Sequence, residues 1–120
     1  MLKWASEIFL SEGIESRCAK TIRMLNADKA PYMTWLITRS PNEGDQLEIM
    51  NAIYLKQSVV RQRLPEIVGL AVNRREAVRM ICSLTEACLK ATGDVDLNAF
   101  IDSNPSVDNL KKISVDDLIH

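Results

Sequence analysis

The stretch 73–92, NRREAVRMICSLTEACLKAT, constrains the fold more than any other part of the chain. Ala77, Ile81, Leu84, Cys88 and Ala91 recur at alternating steps of four and three, which places them on one face of an α-helix. Val78, Cys82 and Leu89 widen that face, as suits a helix packed in a globular core rather than the narrow seam of a coiled coil. Asn73 supplies an N-cap, and Gly93 offers the left-handed residue on which such helices end. The front of the helix is anomalous: Arg74, Arg75 and Arg79 crowd its first turns, where the dipole favours anions, so helix stability does not explain them.

Most of the remaining chain also reads as helical. Residues 2–12 carry Trp4, Ala5, Ile8 and Phe9 at helical spacing, and Ile14, Cys18, Ile22 and Leu25 repeat the pattern across 14–27, with Gly13 as a break or bend between them. Ser40, Pro41, Asn42 and Glu43 match a capping box. Met50, Ile53, Gln57, Val60 and Leu64 continue from it as a seam, predicting a long helix that stops before Pro65. One or two helical turns, softened by Gly69, fit 66–72.

The segment 32–39, YMTWLITR, has the β-branched and aromatic content of a strand, with Tyr32, Thr34, Leu36 and Thr38 on one face and Met33, Trp35 and Ile37 on the other. No second strand is evident to pair with it, and a lone strand leaves its backbone unsatisfied, so it reads as a short buried helix. In the last part of the chain, 94–97, 106–110 and 114–118 each set a cap residue before carboxylates, which predicts three short acidic helices. The expected architecture is all-α. It is a single domain over 1–120, a compact bundle of roughly seven or eight helices, with 93–120 an acidic subregion packed on the core or docking beside it.

Composition narrows the functional classes. A hydrophobic fraction of 47% with 26% charged residues excludes a wholly disordered chain. No apolar run approaches the roughly 18 residues of a membrane span. Glu7 and Glu12 interrupt the apolar pattern of the first residues, which lack a small-residue cleavage site, so a secretory signal is not expected and the location is read as cytoplasmic. Cys18, Cys82 and Cys88 fall at apolar helix positions and read as buried free thiols. The single histidine is His120, the four glycines are scattered, and the acidic residues lack the pattern of a calcium loop. No enzymatic activity, cofactor or metal is therefore expected.

Charge is the remaining clue. The net charge is −1, yet the basic residues concentrate in 15–39 and 61–93 and the acidic ones in 94–120. This opposed layout points to a small intracellular accessory or regulatory protein acting by protein–protein contact, as a homo-oligomer, with a protein partner, or as a subunit of a larger assembly. The candidate interaction residues are Arg61, Arg63, Arg74, Arg75, Arg79, Asp108, Asp116 and Asp117. The alternative is a nucleic-acid-binding regulator using 61–79, with the short helix at 66–72, a turn and the long helix forming a helix-turn-helix.

Overall fold

The computed structural model describes residues 2–40 and 46–119, and there a mixed sheet of five strands replaces the expected bundle. The strands are β1 (Trp4–Leu10), β2 (Trp35–Arg39), β3 (Leu47–Asn51), β4 (Ile67–Ala71) and β5 (Lys111–Ser114), in spatial order β3-β2-β4-β1-β5. β1 and β4 run parallel, and every other neighbouring pair is antiparallel. The helices are α1 (Cys18–Asn26), α2 (Ser58–Arg63), α3 (Arg74–Thr92), α4 (Leu97–Asp102) and α5 (Val115–Ile119), joined by 3-10 turns at Glu15–Arg17 and Ala52–Lys56.

The fold is three-layered because the central strands are apolar on both faces. Ile8, Leu10, Leu36, Ile67 and Leu70 enter one core with Ile22 and Leu25 of α1, Leu55 and Val115. Phe9, Ile37, Val68 and Ala71 enter a second core with Ala77, Met80, Leu84 and Cys88 of α3 and Phe100 and Ile101 of α4. All five residues of β4 are buried, as expected for a strand covered on both sides. β4 also carries a bulge against β2. Ile37 pairs with Gly69 and Thr38 with Ile67, which leaves Val68 without a counterpart on β2.

Several sequence expectations are overturned here, the all-α bundle first among them. Residues 2–12 contain β1 rather than a helix, and 32–39 contain β2, a strand with the alternation expected of that segment rather than a short helix. Pro41, Asn42 and Glu43 of the expected capping box lie outside the described residues. The long helix predicted to follow is replaced by β3, a 3-10 turn and the six residues of α2. The turns expected at 66–72 are β4, and the middle acidic helix at 106–110 is absent, with β5 following it.

The helix at 73–92 is present with its caps. Asn73 accepts the Glu76 N–H at 2.8 Å, and Gly93 takes φ 73°. Its buried face is narrower than expected, formed by Ala77, Met80, Leu84 and Cys88, while Val78, Cys82 and Leu89 are exposed. A helix lying on a sheet touches it along one line, whereas a helix inside a bundle is wrapped by neighbours. α1, α4 and α5 also lie where helices were expected. No described helix is long and apolar enough to cross a membrane.

Gly69 marks the tightest approach in the sheet: a Cβ there would lie 3.3 Å from the Phe9 carbonyl oxygen and 3.3 Å from Ile37 Cδ1. The first of these neighbours is backbone of a paired strand and cannot step aside without disturbing β1. Gly69→Ala is therefore expected to lower stability by about 1–3 kcal/mol through overpacking, read as a shifted midpoint in urea denaturation.

Candidate docking groove

At the end of the sheet where β3 and β4 finish, β2 begins. Trp35 is flanked there by Asn51 of β3 and Ala71 of β4. The segment entering β2 is fixed by arginines that reach backbone carbonyls. Arg17 donates from Nη1 to the Tyr32 carbonyl at 3.2 Å and from Nη2 to the Met33 carbonyl at 2.6 Å. Thr34 Oγ1 donates to the same Tyr32 carbonyl at 3.2 Å, and the Thr34 carbonyl accepts the Ala52 N–H at 2.9 Å. Met33 sits at φ 51°, a left-handed conformation uncommon for a side chain of its size, which persists where surrounding bonds over-determine it.

Arg61 fixes the other side of the same segment. Its Nη1 donates to the Leu25 carbonyl at 2.7 Å, its Nη2 to the Lys29 carbonyl at 3.1 Å and its Nε to the Leu55 carbonyl at 3.2 Å, with Asp28 Oδ1 at 3.5 Å from Nη1. One guanidinium thus joins the end of α1, the loop after it and the 3-10 turn at Ala52–Lys56. Helices end on carbonyls without intrahelical donors, and the five N–H groups of arginine suit that role.

Between these fixed pieces lies a cavity of about 340 Å³ lined by Pro31, Met33, Trp35, Ile53, Val72 and Lys56, with Asn51 and Asn73 among its polar groups. Large apolar residues of its lining are exposed, Tyr32 by 84%, Met33 by 53% and Ile53 by 48%, and Tyr54, next to Ile53 in the chain, is 54% exposed. The position has a topological cause. The helix after β1 and the helix after β4 cover opposite faces, so the connections leaving the carboxyl ends of these two parallel strands part to opposite sides, where α/β sheets form crevices. Between β1 and β4 the crevice is closed, because Ser11 N–H donates to the Leu70 carbonyl at 3.0 Å and Ser11 Oγ accepts the Val72 N–H at 3.1 Å. The opening is displaced to the β4–β2 side.

The residues singled out by sequence are dispersed. Arg61 is turned inward, its side chain 11% exposed. Arg63 is exposed and lines a separate hollow with Thr38, Met50 and Val59. Arg79 lies on α3, across the sheet from α2, with Glu76 at 3.5 Å. Arg74 and Arg75, exposed at the start of α3 directly after Asn73, are the candidates nearest in sequence to the groove lining. Asp108 lines two hollows near β5, and Asp116 and Asp117 occupy the first turn of α5. Among the described residues, none of these three aspartates pairs with an arginine. The tail instead supplies Lys111 to Glu15 at 3.7 Å, Lys112 to Glu7 at 3.5 Å and Asp102 to Arg39 at 2.5 Å.

Sequence reasoning missed Tyr32 and Met33, which fall in the segment read as a short buried helix for want of a partner strand, and Ile53 and Tyr54, which fall in the long helix expected after the capping box. Among the described residues, no three of His, Cys, Asp and Glu come together as a metal-binding group. Comparison of the chain with protein-family models, curated proteins and solved structures gives no match, so the site is read from its geometry alone.

Replacing Arg61 tests whether it holds this segment. Arg61→Ala is expected to lower stability by about 2–3 kcal/mol, and Arg61→Lys to restore only part, since an ammonium cannot reproduce the planar fork. Arg75→Ala should stay within about 0.5 kcal/mol of the parent. Equal effects of Arg61→Ala and Arg75→Ala in chemical denaturation would contradict the assignment.

Proposed function

We propose that this protein is an accessory or regulatory factor that works by contact with another protein, through the groove at the β2–β4 end of its sheet. The observation that carries this reading is the concentration of exposed Tyr32, Met33 and Ile53 in the lining of an apolar groove, with exposed Tyr54 next to Ile53 in the chain. Single apolar residues are common on any protein surface, whereas a contiguous apolar patch marks an interaction site. The backbone of the rim is already ordered by Arg17, Thr34 and Arg61, which reduces the entropy lost when a partner docks.

The nucleic-acid alternative loses support on two counts. The helix-turn-helix it invoked is removed by β4, and the arginines it grouped are divided between Arg61, bound to carbonyls, and exposed residues on separate elements. A dedicated binder of this kind presents its basic groups as one stripe.

The test is site-specific photocrosslinking in the source cells, with benzoylphenylalanine placed at Tyr32, at Tyr54, and at exposed Lys20 on α1 as a control. The same protein adduct is expected at Tyr32 and Tyr54, absent at Lys20, lost when Met33→Asp is added, and reproduced as binding between the two purified proteins. Adducts indifferent to Met33→Asp, or adducts that are nucleic acid, would sink the reading.

A further inference from the structure

We infer that the occupant of the groove is an acidic peptide segment of the partner, carrying one apolar anchor side chain; this rests on the contact reading above and names the chemistry of the partner. Among the described residues, Lys56 is the only basic group in the groove lining, and no carboxylate lines it. Arg74 and Arg75 follow directly on Asn73, a lining residue, and both are exposed. Lys56, Arg74 and Arg75 form no ion pair among the described residues. Glu76, on the same helix as the two arginines, pairs with Arg79 at 3.5 Å, and Asp28 pairs with Arg61 at 3.5 Å, while Glu12, exposed between Ser11 and Gly13, is the acid left on the β1 side of Val72. The apolar hollow therefore has Lys56 in its lining, with Arg74 and Arg75 on the two residues that follow its lining residue Asn73 in the chain, and none of the three is in an ion pair among the described residues.

Such a surface is complementary to a segment in which a Leu, Phe or Trp is followed or preceded by Asp and Glu. The anchor fills the space between Met33, Trp35, Ile53 and Val72, and the carboxylates meet the basic residues at the rim. The cavity of about 340 Å³ is at the small end of the range for ligand sites, which suits an anchor side chain better than a cofactor-sized molecule. Single-stranded nucleic acid is the less favoured anion. It needs a continuous basic track for its backbone, and here Arg17 and Arg61, which would extend one, are bound to carbonyls.

The experiment is selection of phage-displayed random peptides on the immobilised full-length protein, with counter-selection on Ile53→Asp, a substitution at a half-exposed position. Enriched sequences are expected to pair one apolar residue with two or more acidic ones. By fluorescence anisotropy, the best synthetic peptide should bind more weakly as salt rises. It should lose affinity about tenfold or more to the K56E/R74E/R75E variant, and lose binding to Ile53→Asp and to Met33→Asp, with the variants' circular dichroism unchanged. Should Ile53→Asp fail to fold, Met33→Asp serves for the counter-selection. Enriched peptides that are basic or uncharged, affinity unchanged by the triple reversal, no enrichment over counter-selection, or displacement of the peptide by an equal concentration of oligothymidylate would each overturn the inference. A crosslinked partner whose contact segment is neutral or basic would leave the contact reading standing and remove this one alone.

Discussion

Parallel strands cannot be joined by a tight turn, so the pairing of β1 with β4 obliges the chain between Leu10 and Ile67 to leave the sheet and return. It does so through α1, the β2–β3 pair and α2, and β4 then enters between β1 and β2, in a gap that only a strand apolar on both faces can fill. Both cores pass through β4: Ile67 and Leu70 belong to one, Val68 and Ala71 to the other. The bulge at Val68 lets adjacent residues on either side of Gly69 keep to their proper faces, and the absent side chain of Gly69 lets β1 approach.

This double burial is also why the strands were hard to recognise. A half-buried strand announces itself by alternation, but a strand covered on both faces is simply apolar, and IVGLA has no period to read. In β1, Trp4, Ala5, Ile8 and Phe9 fall at helical spacing by coincidence, while Ile8, Phe9 and Leu10 are buried in succession because they point alternately into two cores. The strand character of 32–39 is visible in its alternation, but a lone strand cannot satisfy its backbone, and its partners are themselves hidden, β3 in helix-like spacing and β4 in an apolar run without a period. Helix α3 was legible to its end caps because capping chemistry is local, requiring only Asn73, the Glu76 N–H and Gly93.

Charge shows the same division between what is local and what is not. The basic and acidic blocks exist in the sequence, yet a charge count treats every arginine as a free cation. Arg17, Arg39 and Arg61 act in the fold as multi-pronged donors: Arg39 joins β2 to Glu66 at 2.9 Å and to Asn98 and Asp102 of α4, while Arg17 and Arg61 bind carbonyls. Which arginines are consumed in this way depends on where helix ends and loops fall in space. The division left Arg74 and Arg75 outside the network and drew Arg61, from the same sequence cluster, into it.

The groove follows from the same arrangement. Its lining comes from three stretches, 30–35, 51–56 and 72–73, that are separated in sequence and meet only because β3, β2 and β4 lie side by side. The shape of the rim is set by backbone contacts: the Tyr32 carbonyl takes donors from Arg17 and Thr34, and the Ala52 N–H ties the turn to Thr34. Those bonds hold Met33 at a positive φ that its own side chain disfavours, with its apolar surface exposed at the mouth. Stability alone would favour burying Met33, Ile53 and Tyr54 or replacing them with polar residues. The scaffold fixes the backbone beneath Met33 while leaving its apolar surface uncovered, and the proposed contact function rests on that combination.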